Sequence, residues 1–125
     1  MVDSKVTETK KADPAERLSV AATATGNVHI ASLNGEIDHT TGDILRQALA
    51  VPDTSPPRIV ADMRQVTFMD SSGINILITA HHALTSAGGW LRLAGTTAPV
   101  LRTIGIVGLD SVIDCHETLS QALEN

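Results

Sequence analysis

Aromatic side chains are almost absent from this sequence: Phe68 and Trp90 are the only two in 125 residues, and tyrosine does not occur. Proteins that bind single-stranded nucleic acid stack successive bases on several aromatic faces, which two isolated aromatic residues cannot provide. The core must therefore be built mainly from Val, Ile, Leu and Ala. An apolar content of 42% is sufficient to fill the core of one compact domain.

Cysteine and long apolar runs are also scarce. Cys115 is the only cysteine, so an internal disulfide is excluded and a reducing cytoplasm fits the sequence. The sequence has neither an apolar run long enough to span a bilayer nor the pattern of a signal peptide. We therefore expect a cytoplasmic protein with no membrane association.

Lysine is missing after position 11, and the charge is unevenly distributed. Residues 1–17 carry equal numbers of basic and acidic side chains, whereas the remainder has five arginines against ten aspartates and glutamates. The net charge of −5 therefore lies entirely on residues 18–125. A domain of this charge repels phosphate backbones, so we expect no nucleic-acid partner. An acidic domain is suited to a basic surface on a protein partner.

Two parts of the chain differ in pattern. Residues 1–17 are polar, lack periodicity and contain Pro14, which predicts a disordered tail. Residues 18–125 alternate between strand and helix patterns and are predicted to form one domain. The domain starts with a hairpin over residues 19–25 and 28–34, joined by a turn at Gly26-Asn27.

The rest of the domain reads as helices alternating with short strands. The first predicted helix carries Ile44, Leu45, Ala48 and Leu49, with Thr40 or Thr41 as its cap, and a strand over 58–63 follows. The second predicted helix carries Ile74, Leu77, Ile78, His81 and Leu84 and ends at Gly88-Gly89. The remaining predicted elements are a strand over 90–94, a helix from Pro99 to Gly108, a strand over 111–114 and a helix from Thr118. Such alternation implies a mixed sheet with parallel pairs joined by crossovers. The predicted fold class is therefore α/β.

The segment Asp70-Ser71-Ser72-Gly73 lies where a strand gives way to the second helix. A serine hydroxyl at this place can cap the exposed N–H groups of the helix, which is a purely structural use. Alternatively, the helix N-terminus would stabilise a phosphate on Ser71 by roughly 0.3–1 kcal/mol, while Asp70 would repel it. The fold could then survive phosphorylation while its surface changes charge, as a switch acting on a partner requires.

Two motifs carry a resemblance to a known family. Phe68-Met69-Asp70-Ser71-Ser72-Gly73-Ile74 resembles the signature of bacterial anti-sigma factor antagonists, which are STAS-domain proteins. Leu33-Asn34-Gly35-Glu36-Ile37-Asp38-His39-Thr40-Thr41 is similar to the Leu-x-Gly-Glu-Leu-Asp motif of that family. Gly88-Gly89, Pro99-Val100-Leu101-Arg102 and Gly108-Leu109 stand where the family has them, so the resemblance extends over residues 19–125.

The resemblance implies partner switching in transcription regulation, as in bacterial stress responses. The unphosphorylated protein would bind an anti-sigma factor that is also a serine kinase and so free a sigma factor. Phosphorylation at Ser71 would end the binding, and a PP2C-type phosphatase would restore it. The implied partner-binding residues are Glu36, Asp38, His39, Thr40, Met69, Asp70, Ser71, Ser72 and Gly73. No catalytic residue, cofactor or metal is implied, and the chain is not expected to be an enzyme.

Two alternatives remain at this stage. Met69-x-Ser71-x-Gly73 partly resembles the Gly-x-Ser-x-Gly elbow of α/β hydrolases, but it lacks the first glycine. The candidate bases for such a hydrolase are His29, His39, His81, His82 and His116. Adjacent histidines diverge by about 100° on a helix, so a metal site is not expected either. The second alternative is a STAS interaction module that is never phosphorylated, in a signalling scaffold or a transport complex.

Overall fold

Strands and helices alternate through residues 17–124, which are the residues described in the computed structural model. The tail predicted over residues 1–17 lies outside this range, except for Arg17. The elements are β1 (Leu18–Thr25), β2 (Val28–Ile37), α1 (Gly42–Ala48), β3 (Arg58–Met69), α2 (Ser71–Ser86), β4 (Trp90–Ala94), α3 (Ala98–Val107), a 3₁₀ turn (Leu109–Ser111), β5 (Asp114–His116) and α4 (Leu119–Leu123). The predicted α/β class is confirmed.

The five described strands form one mixed sheet in the order β1-β2-β3-β4-β5. The hairpin of β1 and β2 is antiparallel, and its two-residue turn pairs Thr25 with Val28. The pairs β2–β3, β3–β4 and β4–β5 are all parallel. The carboxyl ends of β2, β3 and β4 therefore lie at the same edge of the sheet, and the loops that follow these strands meet there.

The two faces of the sheet are covered differently. Neighbouring residues of a strand point to opposite faces, and Leu93 belongs to the main apolar cluster whereas Ala94 belongs to a second, smaller one. Helix α4 supplies Ala122 to the second cluster and so packs on the face opposite the other helices. The largest fully buried side chains are Leu18, Leu33, Ile37, Leu45, Leu49, Met63, Leu77, Leu84, Leu93, Ile104, Leu109 and Ile113.

The helices are short. Helix α2, with 16 residues, is the longest in the described part of the chain, and α4 has five. No helix within residues 17–124 is long and apolar enough to cross a bilayer, which takes about 20 apolar residues. The apolar faces of these helices pack on the sheet instead.

The prediction for the last strand was wrong by several residues. The segment 111–114 was expected to be extended, but a 3₁₀ turn occupies Leu109–Ser111 and the strand is Asp114–His116. The Ser111 hydroxyl donates to the Gly108 carbonyl oxygen (2.7 Å) and so closes the turn. Ile113 is buried although it precedes the strand, because the chain enters the core before it reaches β5.

Strand β3 is longer than predicted, because it continues past residue 63 to Met69. Polar residues in its middle hid this continuity. Asp62 is buried, and both of its carboxylate oxygens accept from the Arg64 guanidinium (2.9 and 2.7 Å). This bidentate pair also lowers the pKa of Asp62, mainly through the hydrogen bonds from Arg64. The polar run is therefore compatible with a buried strand.

Replacing Leu93 by alanine should lower the free energy of unfolding by about 2–5 kcal/mol, because Leu93 is fully buried in the main cluster. The control is Ile106→Ala on α3, where the side chain is 80% exposed, and its effect should stay within about 0.5 kcal/mol. Urea denaturation followed by circular dichroism measures both. Equal losses for the two variants would contradict this assignment of the core.

Candidate functional site

The two sequence motifs meet at the carboxyl edge of the sheet. Ile37 at the end of β2 and Met69 at the end of β3 are paired in the parallel ladder. Beyond that pair, the Asp70 N–H donates to the Ile37 carbonyl oxygen (3.1 Å). The loop that begins with Asp38 therefore runs beside the Asp70-Ser71 turn, although the motifs are far apart in sequence.

Asp70, and not a serine, caps helix α2. Its backbone is extended, and its carboxylate accepts a hydrogen bond from the Ser72 N–H (2.8 Å). The structural interpretation, in which a serine hydroxyl serves as the cap, is therefore wrong. Ser71 is the first residue of the helix, its side chain is exposed, and its hydroxyl has no hydrogen-bond partner within residues 17–124.

Gly73 allows the first turn of α2 to lie directly against the sheet. A Cβ atom at this position would be 2.5 Å from Met69 Cγ and 2.7 Å from Ile37 Cγ2, closer than such carbon atoms can approach. Met69 is itself buried, so it has little room to move away. The glycine of the motif thus fixes where Ser71 stands relative to both strand ends.

The loop after β2 is held by a group of hydrogen bonds centred on the buried Asp38. One oxygen of its carboxylate, Oδ1, accepts from the Thr40 N–H (2.9 Å), the Thr40 hydroxyl (2.7 Å) and the Thr41 N–H (3.3 Å). In return, the Asp38 N–H donates to the Thr41 hydroxyl (2.9 Å), which itself donates to the Glu36 carbonyl oxygen (3.0 Å). Thr41 stands at the N-cap of α1, but its hydroxyl makes no capping bond to that helix.

These bonds keep Asp38 ionised. They lower its pKa to about 2, with the hydrogen bond from the Thr40 hydroxyl as the largest cause. The Thr40 N–H, the charge of Arg17 and the Thr41 N–H act in the same direction, and burial opposes them. The carboxylate is therefore negative throughout the neutral range, and the loop carries a fixed charge beside the turn.

Arg17 is a site residue that the sequence analysis missed, because it placed this residue in the tail. The Arg17 carbonyl oxygen accepts from the Glu36 N–H (2.8 Å), which continues the pairing of β1 with β2. Its guanidinium contacts the carboxylates of both Glu36 and Asp38, each at 2.5 Å. A signal was present: counting outward along the hairpin from the Gly26-Asn27 turn pairs Arg17 with Glu36.

The predicted partner-binding residues differ in exposure. The exposed ones are His39, Thr40 and Ser71; the partly buried ones are Glu36, Asp70 and Ser72; the buried ones are Asp38, Met69 and Gly73. Only the first two groups can contact a partner directly. The buried residues shape the two loops.

A groove of about 400 Å³ lies between α1 and α2, next to the turn. Ser72 and His39 line the groove, together with Asn75 and Thr79 of α2 and Arg46 of α1. Arg46 is ion-paired with Asp43 on the same helix. The groove has room for a side chain of another protein immediately beside Ser71.

The described residues hold no catalytic arrangement around Ser71. The single hydrogen bond of a histidine side chain in this part of the chain joins His29 Nε2 to Thr54 Oγ1 (3.2 Å). No histidine therefore activates the Ser71 hydroxyl as the hydrolase interpretation requires. Within residues 17–124, no three His, Cys, Asp or Glu side chains are grouped to hold a metal ion.

Comparisons with known proteins cover nearly all of the described domain. The family model of the STAS domain matches residues 19–122. An anti-sigma F factor antagonist from Paenibacillus polymyxa is 29% identical over 98 residues, which span 77% of this chain and 84% of that protein. The crystal structure of an anti-sigma factor antagonist from Mycobacterium paratuberculosis matches with a TM-score of 0.78 and 29% identity, covering 90% of this chain and 96% of the other.

A further structural match is the Bacillus cell fate determinant SpoIIAA in its phosphorylated form. The TM-score is 0.63 at 19% identity, and the match covers 84% of this chain and 96% of that one. At this identity the likeness concerns the fold alone.

Substituting Asp38 by asparagine should reduce the loss of stability that the protein shows as the pH falls from about 4 to 2. The folded-state pKa of about 2 lies below the ordinary 3.8, so the ionised carboxylate stabilises the fold above pH 3.8. That contribution is lost as the pH falls through about 2. We expect Asp38→Asn to melt below the wild type at pH 7, and the gap to narrow between about pH 4 and pH 2. A gap in melting temperature that stays constant down to pH 2 would contradict this account.

A methyl group at position 73 should destabilise the domain. We expect Gly73→Ala to cost about 1–3 kcal/mol of unfolding free energy, because Met69 and Ile37 must move to admit it. Gly105→Ala is the matched control within α3, where a Cβ meets nothing within 4 Å, and it should stabilise by about 0.5–1 kcal/mol. Thermal and urea unfolding measure both, and a neutral Gly73→Ala would refute the close packing.

Proposed function

Since this chain belongs to the STAS domain family and its relatives include anti-sigma factor antagonists, we propose that it binds an anti-sigma factor with serine kinase activity, which frees a sigma factor. Phosphorylation of Ser71 by that kinase ends the binding, and a PP2C-type phosphatase restores it. The family predicted from the two motifs is confirmed. Membership of this family predicts that the chain is a binding protein and not an enzyme.

The observation that carries the proposal is the position of Ser71. Asp70 provides the cap of α2, which leaves the Ser71 hydroxyl exposed and without a partner among the described residues. A kinase can therefore reach this hydroxyl without unfolding the helix. Ser72 is less suited, because it is half-buried at the lining of the groove and its N–H is held by Asp70.

A phosphate on Ser71 is compatible with the fold. The N-terminal N–H groups of a helix favour an anion by roughly 0.3–1 kcal/mol. The carboxylates of Asp70 and Asp38 oppose it through repulsion, because both lie in the loops that meet at this edge. The two effects oppose each other, so we expect phosphorylation to change the surface more than the stability.

The same phosphate is incompatible with a close interface. Burying a new dianion against a fitted partner surface costs about 3 kcal/mol, comparable to disrupting a buried charged contact. At about 1.4 kcal/mol per tenfold change, affinity falls about a hundredfold. That change redistributes an anti-sigma factor between partners present at similar concentrations.

The surface around Ser71 supports a protein partner. His39 and Thr40 are exposed on the neighbouring loop, and Phe68, which is 47% exposed, precedes the turn. His39 also lines the groove between α1 and α2. A groove beside exposed side chains offers a partner a pocket for an anchoring side chain.

Substitutions at Ser71 test the switch. Ser71→Ala should bind the anti-sigma partner as the wild type does, and ATP should never release it. Ser71→Asp should keep the native circular dichroism spectrum and bind about a hundredfold more weakly. Ser72→Ala is the control, and ATP should release it normally. Calorimetric titration gives the affinities, and mass spectrometry maps the phosphate.

The alternatives give different results in the same experiments. A STAS interaction module that is never phosphorylated would gain no mass when partner and ATP are present. A hydrolase would show ester turnover that Ser71→Ala abolishes. Wild-type affinity of Ser71→Asp, or a phosphate on another residue, would contradict the proposed switch.

A further inference from the structure

Arg17 joins the start of β1 to the acidic loop by contacts from every arm of its guanidinium. Nε and Nη2 donate to Glu36 Oε1 (3.1 and 2.5 Å), and Nη2 also contacts Asp38 Oδ2 (2.5 Å). Nη1 donates to the Thr40 hydroxyl (3.3 Å), which in turn donates to Asp38 Oδ1 (2.7 Å). Arg17, Thr40 and Asp38 thus form a closed ring of hydrogen bonds.

This ring lies beside the Ser71 turn. Asp38 directly follows Ile37, whose carbonyl oxygen accepts from the Asp70 N–H at 3.1 Å. Asp38 and Asp70 therefore lie in the two segments that meet at this edge, and Glu36 stands two residues before Asp38 at the end of β2. Three other arginines contact other groups: Arg46 pairs with Asp43, Arg64 with Asp62, and Arg92 with backbone oxygens near α4.

We propose that Arg17 is a positioning residue of the phosphoacceptor site. It fixes the end of β2, which carries Glu36, to the loop that carries Asp38 and Thr40, and it neutralises part of their charge so that the kinase can dock at Ser71. This inference rests on the proposed function. It adds a residue outside both motifs and connects the end of the N-terminal segment to the switch.

Charge is the first reason. A kinase brings the phosphates of its nucleotide to the acceptor hydroxyl, and these anions are repelled by each uncompensated carboxylate nearby. Arg17 offsets one negative charge and is shared between Glu36 and Asp38. It also contributes to the low pKa of Asp38, and the Glu36 carboxylate raises the pKa of Arg17 in turn.

Geometry is the second reason. The planar fork of a guanidinium can contact two carboxylates and a hydroxyl at once, whereas a lysine ammonium is a single point charge. Without the fork, Glu36 and Asp38 repel each other, and the Glu36 side chain, which is 44% exposed, keeps no side-chain partner within residues 17–124. The loop surface presented to the kinase would then vary in shape.

Variants of the full chain separate the two reasons. Arg17→Gln removes the charge and the fork, and Arg17→Lys keeps the charge alone. The matched control is Arg64→Gln, since Arg64 also pairs with a buried aspartate but lies on β3 five residues before Met69, roughly 16 Å away. For each variant we would measure partner affinity, the KM and kcat of Ser71 phosphorylation at low and high salt, and the Asp38 pKa by NMR titration.

The expected effect is specific to Arg17. Arg17→Gln should weaken partner binding about tenfold and raise KM more than it lowers kcat, with the largest effect at low salt. Arg17→Lys should recover the salt-dependent part of the loss and leave the rest. Arg64→Gln should match the wild type in affinity and KM. The Asp38 pKa should rise in Arg17→Gln and stay low in Arg64→Gln.

Several results would overturn the inference. An Arg17→Gln variant with wild-type affinity and KM would overturn it. Equal losses of affinity in Arg17→Gln and Arg64→Gln would also overturn it, because they would indicate general destabilisation. If Arg17→Gln does not fold, Arg17→Lys decides, because wild-type behaviour there at every salt concentration removes the need for the fork. A wild-type protein that neither binds nor is phosphorylated would instead overturn the proposed function.

Discussion

The pairing of Ile37 with Met69 at the carboxyl edge of the sheet is the contact on which the site depends. It is one step of a parallel ladder, extended by the hydrogen bond from the Asp70 N–H to the Ile37 carbonyl oxygen. Because Gly73 has no side chain, the first turn of α2 lies against both strand ends. The Ser71 hydroxyl and the loop that begins with Asp38 are therefore held by one part of the core.

This construction separates what is fixed from what is presented. Met69, Gly73 and Asp38 are buried and set the positions of two loops, whereas Ser71, His39 and Thr40 face outward. A change of charge on the exposed side chains alters the surface with little effect on the buried contacts beneath. Such an arrangement is what the proposed phosphorylation switch requires.

The fold class, the hairpin and the Asp70-Ser71 turn could be predicted from the sequence, because they depend on local pattern and on specific residues such as Gly26-Asn27 and Gly73. It did not predict the true end of β3, since Asp62 and Arg64 are polar and only their mutual hydrogen bonds make burial tolerable. The last strand was misplaced because Ile113 is buried just before the strand and not within it. These outcomes were decided by tertiary contacts.

Within the site, the sequence identified the residues of both motifs but not the identity of the cap or the role of Arg17. Aspartate and serine are equally good caps, so their order at Asp70-Ser71 could not decide which one serves. Arg17 lies in a polar stretch without periodicity, and only the register of the hairpin assigns it to the sheet.

Because of that register, the length of β1 determines where the Arg17 guanidinium lies at the end of the hairpin away from the turn. Side chains alternate between faces along a strand, so one residue inserted between Leu18 and Gly26 would turn Arg17 to the opposite face. Leu18, now buried, would point outward at the same time. The number of residues between the turn and Arg17 is thus as constrained as the identity of the motif residues, although amino-acid composition does not show it.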